Sequence, residues 1–329
     1  MQQGANSKEQ VPAAGPAGAP VLASAERDMV WILGQPQLED YLEFQKNKVI
    51  REGTCDLRAC AAEWRAANDL YYDLEQSEAG LAEQIDCRPL PPELMPLARE
   101  VEAHRWFQSS FDDLPYSFEL VELDKLVISQ LQVETGYSRR IAELLGAAPP
   151  PEALFRFCLP LEREFPPYRV RRLSSTRFQF TSYSSDFREH RPTLLDQDQL
   201  AALALPNPAV AMVGVPIGFG SNLLSGIRSG QRVLLQNGYH RAYALRSAGF
   251  THAWCVVETV TRKDELRLTA DEDVIADPEF YFAARRPPLL KDFFDPRLAR
   301  HFRARRSEFV VEVEISIRTS GALDVTPDR

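Results

Sequence analysis

Five consecutive residues, Asn237-Gly238-Tyr239-His240-Arg241, combine a turn signal with two nitrogen-bearing side chains where a helix should begin. Arg232 to Gln236 is a short β-rich run, and Asn237-Gly238 is a turn dipeptide. Tyr239 to Ala248 reads as helix, stopped by Gly249, and Trp254 to Glu258 reads as strand. The first N–H groups of a helix have no partner inside it, and the helix dipole adds partial positive charge there. A fixed arginine charge in that first turn is unfavourable by about 0.3–1 kcal/mol. A bound phosphate offsets this cost, accepting backbone N–H groups and side-chain donors together. Gly238 allows positive φ and close approach of the backbone to an anion. Gly238, His240 and Arg241, with the backbone N–H groups of Tyr239 and Arg241, are therefore candidate phosphate ligands. Helical spacing puts Arg241, Ala244, Leu245 and Ala248 on one face, with Arg241 at its mouth. A second reading stays open: Arg241 pairs with a structural carboxylate, and His240 is an exposed cap.

Other chemistry is sparser. The five cysteines (Cys55, Cys60, Cys87, Cys158 and Cys255) are an odd number without a CxxC pair. That fits reduced thiols in a cytoplasm rather than a disulfide framework. Cys255 sits mid-strand in apolar surroundings, where thiols are inert. The five histidines form no HxH or HxxxH pair, so spacing supports no metal site. Ser221 and Asn222, in a Gly- and Ser-containing loop after the β-rich run 210–219, are further candidates to line the phosphate pocket; a plain connecting loop is the alternative.

The elements that must position these residues follow from periodicity. Residues 1–25 are rich in Ala, Gly, Pro, Gln and Ser and should be a disordered tail. Leu57, Cys60, Trp64, Tyr71, Leu74, Leu81 and Ile85 recur at helical spacing, with Gly80 a breaker. The run 88–92 is a Pro-rich stop, and 93–108 is helical again. From Phe118 to Val133 the pattern turns to strand, followed by a short helix capped by Ser138 and ending at Leu145. Tyr168 to Ser182 reads as a hairpin turning at 173–176, its open face carrying Arg169, Arg171, Arg172 and Arg177. Asp277-Pro278 starts an aromatic helix, 285–296 is a Pro-bounded clasp over the core, and Phe309 to Ile317 alternates as a half-buried strand.

At 329 residues the chain is long enough for a full core. Its formal net charge of -9 argues against general nucleic-acid binding, which draws on neutralising phosphates. No apolar run reaches about 18 residues, so no membrane span is expected, and no signal peptide opens the chain.

Val233 to Glu258 resembles the core of the ParB/sulfiredoxin superfamily, in which a strand ends in a Gly-x-His-Arg or Gly-x-Arg-Arg turn that opens a helix. Gly238, His240 and Arg241 fall on that motif, and Leu120 to Val133 corresponds to its early strand. The chain is also similar to bacterial proteins that share the Asn-Gly-Tyr-His-Arg segment and the stretch from Arg286 to Pro296. The superfamily resemblance implies nucleotide phosphates at the turn, and a nucleoside triphosphate with Mg as the implied cofactor. Some members are small-molecule kinases, which need a carboxylate to take a hydroxyl proton. Glu122, Asp124 and Glu134 are the catalytic candidates under that reading. Sulfiredoxins carry a reactive cysteine where this chain has Tyr239, so sulfinic-acid repair is not expected. DNA-binding ParB proteins add a helix-turn-helix that is not found here, which argues against sequence-specific DNA as a partner.

The reading is an α+β protein: a small mixed sheet of ParB/sulfiredoxin type, with an N-terminal helical region and a C-terminal strand that completes or caps the sheet. Its divisions are the tail 1–25, a helical region 26–115, the core 116–262 with an inserted hairpin region 148–205, and an extension 263–329 packing on the core. Strands near 232–236 and 253–258 should be parallel neighbours joined by the 239–248 helix. The expected partner is a nucleotide or phosphorylated small molecule. The alternative is an interaction or scaffold module with a degenerate nucleotide site, acting on a protein partner through its added regions.

Overall fold

The computed structural model describes residues 25–35, 38–146, 148–162, 165–203 and 209–318. Apart from Ala25, the segment 1–25 read as a tail lies outside the described residues. The N-terminal third runs β1 (Glu26–Ile32), α1 (Leu38–Asn47), α2 (Leu57–Ser77), β2 (Cys87–Pro89), α3 (Met95–Glu102) and α4 (Arg105–Gln108). Next come β3 (Tyr116–Glu122), β4 (Val127–Ile128), β5 (Gln132–Glu134), α5 (Thr135–Leu145), α6 (Pro151–Cys158), β6 (Tyr168–Arg172), β7 (Arg177–Ser182), β8 (Phe187–Glu189), β9 (Thr193–Leu195), α7 (Gln197–Ala201), β10 (Met212–Gly214) and β11 (Ile217–Phe219). The chain closes with β12 (Ser225–Ser229), β13 (Arg232–Asn237), α8 (Tyr239–Ser247), β14 (His252–Val260), α9 (Leu266–Thr269), α10 (Glu272–Ala276), α11 (Pro278–Phe282), β15 (Ala299–Arg305) and β16 (Phe309–Glu314). The protein is of mixed α+β class, and no helix among the described residues is long and apolar enough to cross a membrane.

The central sheet has six strands in the order β2-β3-β14-β12-β13-β4. Its middle is a run of buried apolar side chains, with Val233 to Leu235 on β13 and Ala253 to Val257 on β14. The expectation that β13 and β14 are parallel neighbours fails. They share the sheet and are joined through α8, but β12 lies between them, parallel to β14 and antiparallel to β13. The reason is a tight hairpin: Gly230, at φ +61, turns β12 directly into β13. The sequence of β12, Ser-Gly-Ile-Arg-Ser, has one strong strand former and so carries little strand signal. Its Gly226 is required by packing, since a Cβ there would lie 2.9 Å from Leu234 O and from Val233 Cγ1.

Two further departures concern the flanks. The segment 26–115 is not helical throughout. It begins with β1, whose Met29 to Ile32 are buried, and which is the middle strand of a three-stranded sheet β15-β1-β5. It also sends β2 to the edge of the central sheet. The strand expected at 309–317 ends at Glu314 and does not complete the central sheet. It pairs with β7, so that β16, β7 and β6 form a sheet of their own, with Phe309, Val311 and Val313 half-buried and the alternate residues exposed. The hairpin itself turns at 173–176 as its sequence indicates.

Side-chain caps set two helix starts. Asp56 caps α2, accepting from the N–H groups of Arg58 (3.0 Å) and Ala59 (3.1 Å), and the helix stops three residues before Gly80, at φ +75. Asp277 caps α11 through the Phe280 N–H (3.2 Å). Ser138 does not start α5. That helix begins at Thr135, and Ser138 donates back to the Glu134 carbonyl at 3.0 Å.

Candidate anion-binding site

The strand β13 ends at Asn237, whose Oδ1 accepts the Gly238 N–H at 2.7 Å. Gly238 then takes φ +90 as the N-cap of α8. A Cβ at this position would lie 2.9 Å from Leu224 Cα and 3.1 Å from Leu224 Cβ, so both the dihedral and the space demand glycine. No side chain caps the helix. Its first-turn N–H groups therefore form the donor-rich, positive end that an anion can use.

The four residues after Asn237 divide the work differently from the sequence reading. Tyr239 points into the core. Its hydroxyl donates to Leu235 O at 2.5 Å and lies 3.0 Å from both the N–H and the hydroxyl of Ser129. What it offers an anion is its backbone N–H. His240 Nε2 accepts the Glu134 N–H at 3.2 Å, and its ring meets Tyr137 edge-on at 5.3 Å. Burial brings the imidazole pKa down to about 4, with the Arg27 and Arg241 charges adding and Asp186 opposing. His240 is thus neutral at neutral pH, with its proton on Nδ1. It is neither a second cation nor an exposed cap, and it can donate to a ligand only through Nδ1.

Arg241 reaches across to the loop before β12. Its Nη1 donates to Asn222 O at 2.5 Å and to Asn222 Oδ1 at 2.9 Å, and the guanidinium sits 5.9 Å from the Phe157 ring centroid. Asn222 is the one non-glycine residue at positive φ among the described residues, at φ +60, a conformation asparagine tolerates. The loop residues Ser221 and Asn222 are thereby placed beside the turn, with Asn222 anchoring Arg241.

Two arginines remote in sequence complete the cluster. Arg27, on β1, carries a charge close enough to depress His240. Its Nε is sealed from solvent and has no hydrogen-bond partner. Burial pulls the Arg27 pKa down, Glu134 pushes it up, and Arg306 pulls it down again. Arg306, just beyond β15, pairs with Glu134 at 2.7 Å, both side chains being mostly buried. No periodicity could reveal these two. Arg27 comes near His240, and Arg306 near Arg27 and Glu134, because β15 and β5 flank β1.

The carboxylate candidates split. Glu134 is at the turn. Glu122 and Asp124 are at the other end of α8: Asp124 pairs with Arg246 of its last turn at 2.5 Å, and Glu122 pairs with Lys125 at 3.0 Å. A nine-residue helix is about 13 Å long, so neither can share a ligand phosphate with Gly238. The chain turns after Glu122, at the end of β3, and only β5 returns toward the helix start. Two cavities also lie away from the turn. One of about 360 Å³ is lined by Glu78, Asp124, Arg246, Lys291 and Asp295. One of about 580 Å³ lies between α5 and α8, lined by Ser138, Arg139, Tyr243, Ser247 and His301. Among the described residues no group of three or more His, Cys, Asp or Glu is placed to hold a metal ion.

No protein-family model matches this chain, and no curated protein and no solved structure matches it.

Proposed function

We propose that the start of α8 binds a phosphate group, and that the chain is a nucleotide- or phosphometabolite-binding protein of the ParB/sulfiredoxin type. The carrying observation is the pairing of an uncapped helix N-terminus with Arg27, a guanidinium desolvated by burial whose sealed Nε has no acceptor. An unmet buried donor costs about 1–3 kcal/mol, and the Arg27 charge lies close enough to the turn to lower the His240 pKa. Arg241 and Arg306 supply further charge, and Gly238 lets the backbone approach. A regulator or carrier fits better than a phosphotransferase, because Glu122 and Asp124 are remote and held in ion pairs. Glu134 is the one carboxylate of the three that could serve in transfer. The Mg of a bound nucleoside triphosphate needs only one or two protein carboxylates beside the phosphates. Among the described residues Glu134 and Asp186 are carboxylates near the turn, and the ion would supply charge neutralisation there.

One observation favours the alternative interaction module. The sheet β6-β7-β16 exposes Tyr168 and Val170 on one face and Val310 with Arg169 and Arg171 on the other, apolar side chains of the kind a protein partner covers.

Thermal melts against Mg-loaded nucleoside triphosphates, pyrophosphate and phosphorylated metabolites separate the two. A ligand at about 100 times its Kd adds about 2.7 kcal/mol, which raises the Tm by about 5–10 °C. Protection by no phosphate compound would overturn the binding reading and leave the interaction module.

A further inference from the structure

A separate cluster lies where α1 gives way to α2. Cys55 directly precedes the α2 cap Asp56, and Cys60 follows one turn into the helix. Their Sγ atoms are 3.9 Å apart. Arg51 Nη1 donates to Cys55 Sγ at 2.9 Å, and Arg51 Nη2 is held by Gln45 O at 2.8 Å and Gln45 Oε1 at 2.5 Å. Cys60 Sγ lies 3.8 Å from the same Gln45 Oε1. Both thiols are partly exposed, whereas Gln45 is only 2% exposed.

Positions before and one turn after an N-cap often hold two touching apolar side chains, which fix the chain's entry into the helix. That packing role would account for two neighbouring thiols. It does not account for a guanidinium fixed on one of them, nor for two buried donors with no acceptor, Gln45 Nε2 and Arg51 Nε. A cation and hydrogen-bond donors are what a reacting thiolate and a departing oxygen anion require.

We propose that Cys55 and Cys60 form a peroxide-oxidisable dithiol, in which Cys55 attacks the peroxide and Cys60 resolves the product. The Cys55 thiolate attacks one oxygen of a hydroperoxide, the O–O bond breaks, and the departing alkoxide or hydroxide takes up a proton. Cys55 is left as a sulfenic acid. The Cys60 sulfur, losing its proton, then attacks Cys55 Sγ, and the S–O bond breaks with loss of water. Two thiols and one hydroperoxide give one disulfide, one alcohol or water, and one water. The two sulfurs together lose two electrons and the peroxide gains them. The assignment of order follows from the surroundings: Arg51 donates to Cys55, while burial pushes the Cys60 thiol up and keeps it protonated. Closure needs the sulfurs to approach by about 2 Å, to the S–S length near 2.05 Å, a motion within reach of side-chain rotation.

The test uses the reduced full-length chain, hydrogen peroxide at neutral pH, and peptide mass spectrometry. The expected result is a dithiothreitol-reversible loss of two hydrogens linking Cys55 to Cys60, ahead of any change at Cys87, which is also partly exposed. In Cys60→Ser, dimedone should trap a sulfenic acid on Cys55. Arg51→Gln, checked for folding by circular dichroism, should slow that trapping about tenfold, the loss of one charged hydrogen bond to the reacting sulfur. The proposal is overturned if Cys87 oxidises while the pair stays reduced, if Cys60→Ser yields no adduct on Cys55, or if Arg51→Gln traps at the wild-type rate.

Discussion

Helix α8 has an arginine centre at each end, and the two are satisfied in opposite ways. Near its C-terminal end, the clasp buries Arg286 at 3% exposure against Asp292 at 1%. The pair is bidentate, at 2.6 Å for both nitrogens. Glu78, the Pro287 carbonyl and the Tyr71 hydroxyl, which donates to Asp292 at 3.0 Å, complete the shell. At the N-terminal end, Arg27 has a sealed Nε without an acceptor. A saturated guanidinium locks a fold, whereas an unsaturated one keeps capacity for something that comes and goes. The comparison therefore predicts that damage to the first centre reads out as stability and damage to the second as ligand response.

The largest effect belongs to the clasp. Arg286→Ala should cost about 3–5 kcal/mol in urea melts, because Asp292 would be left charged and buried. Replacing both by apolar residues, Arg286→Met with Asp292→Leu, should recover most of that loss. If Arg286→Ala melts like the wild type, the clasp is no more than a surface feature and the contrast between the two ends collapses.

The next effect is acid lability at the α8 start. His240 falls to about 4 in the folded chain against roughly 6.5 when unfolded. Between those values the unfolded chain binds more protons, so stability falls as pH drops through that window and is complete above about 6.5. The loss from this group approaches about 3 kcal/mol by pH 4. His240→Gln retains an acceptor for the Glu134 N–H but does not titrate, so its melts at pH 7.5 and 4.5 should differ less than the wild-type pair. Equal acid losses in both proteins would assign the lability elsewhere.

Ligand response comes third. Arg27→Met keeps an apolar stem while removing the desolvated charge, so the ligand-free protein should hold or gain up to about 1 kcal/mol. Arg241→Ala gives up the hydrogen bonds to Asn222 and should cost about 1–3 kcal/mol. Both should lose the ligand-induced rise in Tm, about 5–10 °C in the wild type. A loss of 3–5 kcal/mol in Arg241→Ala, with no ligand shift in the wild type, would make this end a structural centre like the other.

How much of this was legible follows the range of the interactions. The turn Asn237-Gly238 and the helix after it are local, set by one glycine dihedral and a stop at Gly249, and the sequence shows them directly. So is the Asp277 cap. The order of strands is not local. β12 carries one strong strand former and gains its place from its hairpin with β13 and from packing around Gly226. The neutral state of His240 is not visible in the sequence, because nothing beside it there shows Arg27 or the Glu134 amide. The buried partners of Arg286 fall into two groups: Asp292 is six residues away, but Tyr71 and Glu78 lie on the far side of the chain.

The smallest expected effect is also the one that locates the site. Asp124 and Arg246 are each about one-third exposed, and Glu122 pairs with a partly exposed Lys125. Such pairs contribute roughly 0–1 kcal/mol. Asp124→Asn and Glu122→Gln should therefore melt within about 1 kcal/mol of the wild type. They should also show the same ligand-induced shift, since about 13 Å of helix separates them from Gly238. The cavity of about 360 Å³ beside Asp124 makes this more than a control. It holds Arg246 and Lys291 among its lining cations and could accept an anion on charge alone. Those cations already have carboxylate partners, Asp124 for Arg246 and Glu78 for Lys291. An incoming phosphate would have to displace them, whereas at the α8 start it meets an uncapped helix and an unmet donor. Loss of ligand protection in Asp124→Asn, with Arg241→Ala still protected, would move the binding site to the C-terminal end of α8 and reverse the assignment of the two arginine centres.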